Sequence, residues 1–466
     1  MRPLRILTEP WNAFVGLLRA GSSGWNAFFF TPADPTPVGL IRLIVGSLAC
    51  WSLFVYGWDL EAFLGPNGWA NASVVREYWA ERVPGAWSIW FLVPDGWIRA
   101  VWAVGVAVAA MCAVGVASRL TTPLTWVFVI STARRAPFSL YGFDQILSTW
   151  LLYLAVTDAS GQALSIDRWI GRARRFRSEL FVRPKGGKWT PTPGIPEPSI
   201  RANLCLRLIQ CHLVVIYAMA GLAKLQGRAW WEGTAIWGTL AAGEFRRFDL
   251  TWLAAYPLLL NALTHFALAL ELVYPVMIWN RRLRPWLIGA MVMLHLGIDV
   301  TLGLTEFGLV MIAGNLAFTS GAWLRSLVIG DAPAPGRVLY DGVCPRCRAS
   351  IALICAGDPA RLIEPLDLNA VEVATIHPSL TKERCVESMH LVHASGRVES
   401  GFDAVVRIAS WTPTLALPAL VRFVPGVSRL GRVAYNRIAA SRPREVCNDD
   451  VCGLDAPNRP SSRAPR

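Results

Sequence analysis

Apolar residues fall in two different rhythms along the chain. Up to about residue 322 they form long runs, broken by short polar stretches; after residue 336 they form short runs of three to five. The long runs lie at 38–55, 97–117, 120–132, 146–157, 204–225, 256–279, 285–304 and 307–321. A spanning helix takes ~20 apolar residues. The third, fourth and eighth runs are short, so six or seven full spans fit as well as eight. Beyond Asp331-Ala332-Pro333-Ala334-Pro335-Gly336 the pattern predicts strands at 338–340, 362–366 and 389–392. It also predicts a helix over 350–355, a turn at Ala394-Ser395-Gly396 with a return strand at 397–399, and a helix opening at Gly401-Phe402-Asp403. The expected fold is a polytopic α-helical membrane bundle of about eight spans followed by a small α/β domain. The expected divisions are an amphipathic leader over 1–37, the membrane part over 38–322 and a linker over 323–336. The α/β domain follows over 337–445, and a cysteine-containing disordered tail over 446–466.

Composition agrees with a membrane chain. Hydrophobic residues make up 54% and charged residues 17%, the latter well below the roughly 25% of soluble domains. Twenty-two tryptophans suit side chains lodged at a bilayer interface. The net charge of +13 does not indicate nucleic-acid binding, because the basic residues sit in short loops between apolar runs. Their distribution gives an orientation. Sixteen Lys and Arg fall on the side of the N-terminus, many of them between Arg168 and Arg201, against eight on the other side. By the positive-inside rule both termini are cytoplasmic, and the expected location is the plasma membrane of a bacterium. Residues 184–198 read as a flexible linker between two halves of the bundle. Residues 10–30, rich in Trp and Phe, read either as an interfacial helix or as a partly ordered leader.

The short-run region carries a candidate dithiol. Cys344-Pro345-Arg346-Cys347 follows a strand and the Asp341-Gly342 turn, and precedes a helix. A strand–turn–helix with C-x-x-C at the turn is where a thioredoxin-like fold keeps its reactive pair. A helix N-terminus favours the thiolate of Cys344, and Arg346 adds positive charge. The competing reading is zinc, with His377, Cys385, Cys447 and Cys452 as further ligands, but their spacing is irregular; no metal is assigned. Cys447 and Cys452 also read as a second dithiol. Cys50, Cys112, Cys205 and Cys211 lie in apolar runs as small core residues.

Ionisable residues within the long runs are functional candidates by default: Arg42, Asp144, Lys224, His265, Glu271, His295, Asp299 and Glu306. Tyr217, Gly221 and Lys224 share one helix face, and His295 and Asp299 share another. The segment Tyr217-Ala218-Met219-Ala220-Gly221-Leu222-Ala223-Lys224-Leu225, with Trp230, Glu232 and Gly233, resembles the vitamin K-dependent gamma-carboxylases and their bacterial HTTM relatives. Arg42, Gly68-Trp69, Ser165-Ile166-Asp167, His295, Phe307 and Met311 extend the likeness over residues 36–322. It implies a ligand or base site at Lys224, Tyr217, His295 and Asp144. Lys224 holds the position of the base that activates reduced vitamin K, and Asp144 stands where the carboxylases use histidine. The large substrate-binding region of the carboxylases has no counterpart.

Tyr340-Asp341-Gly342-Val343-Cys344-Pro345-Arg346-Cys347 resembles the signature of DCC-type thiol-disulfide oxidoreductases. Met389-His390-Leu391-Val392, Gly401-Phe402-Asp403-Ala404, Pro425-Gly426-Val427, Tyr435, Ala439 and Arg442 support it. The likeness implies a thioredoxin-like fold, with Cys344 as attacking and Cys347 as resolving thiol. The proline that thioredoxin-like enzymes place before the strand facing the dithiol is absent: Glu387 and Ser388 precede Met389. The expected function is a membrane-linked thiol-disulfide oxidoreductase. The expected partners are a cytoplasmic thiol reductant or thiol protein and membrane lipid. No cofactor is fixed; a quinone-like molecule in the bundle is the candidate. The alternatives are a non-catalytic membrane anchor or binding module, and a carboxylase-like peptide-modifying enzyme.

Overall fold

The computed structural model describes residues 16, 19–69, 71–83, 85–182, 189–192, 194–243, 247–329, 336–358, 362–411 and 426–442, and the backbone of 444–448 and 451–455. The chain divides into two compact units. One comprises residues 1–165 and 196–324; the other comprises 166–195 and 325–466.

The first unit is a helical bundle. Its longer helices are α1 (Thr36–Tyr56), α2 (Ile98–Val114), α3 (Ser118–Arg135) and α4 (Gly142–Thr157) in the first half. Among the described residues, five helical stretches are long and apolar enough to cross a membrane: Thr36–Leu64, Asp95–Val114, Ile200–Leu225, Pro257–Met277 and Arg284–Leu302. α4 is 16 residues long, and α3 carries three arginines among many hydroxyl residues. The count of eight spans is therefore not reached on length and apolarity alone. Val38, Ile41, Val45 and Ala49 of α1 are fully buried, at the three-to-four residue spacing of one helix face. They belong to one core with Leu147, Trp150, Leu151 and Leu154 of α4. Leu258, Phe266, Trp286 and Met293 stay exposed, as a lipid-facing surface requires. Arg42 lies wholly buried, and its guanidinium donates to the carbonyls of Cys112 (3.4 Å) and Leu164 (2.6 Å). Gly115, left-handed at φ 73°, makes room for it; a Cβ there would stand 1.7 Å from Nη1. Of the leader, residues 19–30 are helical, and the Phe28 carbonyl accepts from Asn203 and Arg207.

The second unit begins with α5 (Ile166–Val182), from the loop between the bundle's halves. The bundle's second half follows, with α6 (Ile200–Leu225), α7 (Pro257–Met277), α8 (Arg284–Leu302) and α9 (Thr305–Asn315). The rest of the second unit is β1 (Gly336–Tyr340), α10 (Pro345–Ala356), β2 (Ile363–Asp367), β3 (His390–Val392), β4 (Val398–Ser400), α11 (Gly401–Trp411) and α12 (Val427–Ala440). The sheet order is β2-β1-β3-β4, with β1 and β2 parallel and the other pairs antiparallel. This is the expected thioredoxin-like β-α-β then β-β-α order. Alternation divides β1 between two cores. Val338 and Tyr340 face α10 and α11, while Leu339 joins Leu366, Leu380, Cys385 and Val392 on the other side.

Three boundaries differ from the sequence reading. The loop segment 166–195 completes the α/β unit. Phe176, Leu180 and Trp189 are buried in one core with Ile351, Ile354 and Cys355. Trp169 Nε1 donates to the Leu353 carbonyl (3.0 Å) and Arg172 to that of Ala356 (2.8 Å), both in the last turn of α10. Trp189 thus sits in a core rather than a flexible linker. The expected linker starts as a helix, Gly321–Ile329, and residues 330–335 lie outside the described ones. The tail carries a hairpin, β5 (Arg444–Asn448) and β6 (Val451–Asp455).

Candidate functional site

Cys344 is the N-cap of α10, with Pro345 at the first helical position, where a missing N–H costs nothing. The turn before it is held by acids. The Val343 N–H donates to Asp341 Oδ1 (3.1 Å), and the Gly342 N–H donates to Asp367 Oδ1 (3.1 Å). Asn369 Nδ2 bridges the two carboxylates at 3.1 and 3.0 Å. Gly342 is required here, since a Cβ would lie 2.0 Å from Asp367 Oδ2. The end of β2 therefore fixes the loop that ends β1.

The Cys347 N–H donates to Cys344 Sγ (3.3 Å), as helix N-terminal donors do. Cys344 is pulled down to about 6, first by the hydrogen bond from the Cys347 thiol, then by the Cys347 and Arg346 backbone N–H groups and the charge of Arg442; burial works against them. Cys347 moves up, because it donates to Cys344 and is buried. The pair thus separates into a thiolate and a protonated thiol. Both residues are nearly covered, at 1% and 6% exposure. Cys355 is also buried on α10, and burial pushes its thiol up.

Arg442 is the residue whose role the sequence concealed. Its Nη1 donates to Cys347 Sγ (3.3 Å), and Nη2 donates to the carbonyls of Val386 (3.0 Å) and Glu387. Its Nε caps α12 at the Ala439 carbonyl (2.9 Å), and the Tyr435 hydroxyl fastens the same helix to the Met389 N–H (2.9 Å). Arg346, expected to supply the charge, turns instead to the Ser441 carbonyl (3.0 Å) and hydroxyl (3.1 Å). Arg442 stands beside the segment where a proline was expected and found missing. The likeness at Tyr435, Ala439 and Arg442 was the one sequence signal for it.

The four candidate residues of the bundle do not form one site. Tyr217 and His295 meet, hydroxyl to Nε2 at 2.8 Å, and Asn315 Nδ2 donates to the same hydroxyl (3.1 Å). Tyr274 donates to Asn315 Oδ1 (2.8 Å), so the network ties α6, α7, α8 and α9 together. His295 Nδ1 is buried with no hydrogen-bond partner among the described residues. Lys224 forms an ion pair with Glu271 of α7 (2.7 Å) and lies 5.2 Å from the Trp230 ring centre. Asp144 stands elsewhere, where its Oδ2 accepts from the Tyr141 N–H (3.0 Å). It lines a cavity of about 220 Å³ with Trp51, Tyr56, Tyr141, Phe143 and Glu306.

A family model described as an HTTM domain matches residues 199–323, and one described as a DCC1-like thiol-disulfide oxidoreductase matches residues 338–447. The chain carries these two domains, in that order. No curated protein and no solved structure matches it. The HTTM match covers α6 to α9, with Tyr217, Lys224 and His295. The DCC1-like match runs from β1 through Arg442 to Cys447. Together they support a membrane-linked redox role.

Proposed function

We propose that Cys344 and Cys347 perform thiol–disulfide exchange at the cytoplasmic face of a bacterial plasma membrane, with both termini on that side. The supporting observation is the geometry of the turn, where a helix-start backbone N–H and Arg442 converge on one sulfur pair. The Cys344 thiolate attacks a partner disulfide and expels one partner thiolate. The Cys347 thiol then attacks Cys344 Sγ, expels the second partner sulfur and closes the Cys344–Cys347 disulfide. Two electrons pass to the partner, and the protons come from Cys347 and solvent. A cytoplasmic thiol reductant restores the dithiol. The protein partners are therefore thiol proteins, with membrane lipid around the bundle and no nucleic acid.

In the bundle, the proposal places a quinone-like or lipid ligand in the cavity beside Asp144. Its aromatic walls suit a flat ring, and Tyr141, Asp144 and Glu306 offer polar contacts. The pairing of Lys224 with Glu271 favours a helix tie over the free base that carboxylase-like chemistry needs. The anchor reading gains from the same pairing, since the bundle's polar groups largely satisfy one another.

The test is trapping. Cys347→Ser should hold a thiol protein as a mixed disulfide on Cys344, and Cys344→Ser should hold nothing. A Cys344 that alkylates like an ordinary thiol and forms no reversible bond with Cys347 would overturn the redox reading. Mass spectrometry of the purified protein should show a copurifying quinone or lipid that Asp144→Asn releases; an empty bundle removes the ligand part alone.

A further inference from the structure

The hairpin that follows Arg442 carries two more cysteines, and its register pairs them. Arg444 lies opposite Asp455, Val446 opposite Gly453, Cys447 opposite Cys452, and Asn448 opposite Val451. Directly opposed residues of antiparallel strands have Cα atoms about 4.5–5.5 Å apart. That falls inside the roughly 4.4–6.8 Å that a disulfide spans. A slip of one residue would send the two side chains to opposite faces.

The tether is the second observation. Cys447 is five residues beyond Arg442, so their Cα atoms are at most about 17 Å apart. Arg442 is itself hydrogen-bonded to Cys347 Sγ. Over so short a connection the hairpin thiols reach an effective concentration of about a millimolar at the Cys344–Cys347 turn.

We propose that Cys447 and Cys452 form a second dithiol that exchanges with the Cys344–Cys347 pair within one chain. The proposal rests on the reading of Cys344 and Cys347 as an exchanging pair. With the hairpin pair oxidised, the Cys344 thiolate attacks Cys447 Sγ; the Cys447–Cys452 bond breaks and Cys452 leaves as a thiolate. Cys347 then attacks Cys344 Sγ, releasing Cys447. One disulfide is lost and one gained, two electrons move from the turn to the hairpin, and the hairpin thiols take one proton from Cys347 and one from solvent. The steps run backwards when the turn is the oxidised pair, so the hairpin either passes electrons to the turn or receives them.

The experiment uses the full-length protein in detergent, oxidised with a small aromatic disulfide and mapped by mass spectrometry of its peptides. In the Cys347→Ser/Cys452→Ser chain, a Cys344–Cys447 link should form, with a yield unchanged over about a tenfold dilution, as an intramolecular event requires. In the wild-type chain given one oxidising equivalent, Cys344–Cys347 and Cys447–Cys452 bonds should both appear and equilibrate with each other. A link whose yield falls on dilution joins separate chains and overturns the proposal. So does a wild-type chain whose turn cycles with dithiothreitol while the hairpin never exchanges with it; that outcome leaves the proposed function standing. A turn that does not cycle with dithiothreitol removes both.

Discussion

The dithiol turn and the polar network of the bundle are both buried clusters of chemistry-bearing side chains, arranged to opposite ends. In the bundle, polar groups from neighbouring helices meet in pairs: Lys224 with Glu271, Tyr217 with His295, Tyr274 with Asn315. Mutual satisfaction of this kind ties helices together where no water is present. At the turn, donors from two separate segments converge on two sulfurs, the start of α10 and Arg442 just beyond α12, while Asp341 and Asp367 hold the loop before them. They leave one sulfur ionised and the other protonated. Groups that complete one another hold a fold together; groups aimed at a single atom prepare it to react.

The comparison breaks most sharply at Cys344. Cys344→Ser should abolish disulfide exchange, measured with a small aromatic disulfide, while Lys224→Ala leaves that exchange unchanged. Equal loss in both variants would mean that the bundle takes part in the thiol chemistry. Next in size is the seam between α5 and α10. Phe176→Ala empties a fully buried site and should cost about 3 kcal/mol, read as a lower unfolding midpoint of the α/β unit. A residue 337–445 fragment lacking α5 should expose the same apolar face and aggregate.

A smaller effect separates the two arginines. Arg442→Ala should raise the midpoint for alkylation of Cys344 from about 6 toward the ~8.5 of a free thiol. A shift of about one unit lowers the thiolate fraction, and with it the rate, about fivefold near pH 6. Arg346→Ala should leave the midpoint in place, and the reverse order would reassign the charge. A thiol whose folded value is lowered stabilises the reduced domain above its unfolded value near 8.5, and that contribution is lost as pH falls through about 6. Reduced wild type should therefore lose more stability than Cys344→Ser between pH 8 and pH 5. The smallest effect is the helix tie. Lys224→Ala and Glu271→Ala should each cost about 1 kcal/mol, and the double variant less than their sum, by thermal unfolding in detergent.

What could be read from the sequence was local. The C-P-R-C turn, its strand and its helix lie within about twenty residues, and the order of later strands followed from alternation and the Ala394-Ser395-Gly396 turn. The long apolar runs marked the bundle because its outer surface is also apolar. Arg442 stands 95 residues from Cys347 and was visible as a family residue without a role. Arg346 misled because sequence adjacency says nothing of where a long side chain turns. The loop helix α5 carries its apolar residues, Trp169, Ala173, Phe176 and Leu180, three and four apart. That spacing marks an amphipathic helix and cannot say which surface covers it.

A membrane bundle, a thioredoxin-like unit after it and a dithiol at a helix start were all legible along the chain. Each of these depends on residues close along the chain, where backbone geometry leaves few choices. Tertiary packing settled that α5 completes the α/β core, that Arg442 reaches the dithiol, and that Asp144 stands apart from Lys224. Those placements involve distant segments, and they are set by how whole elements pack, which no local pattern records.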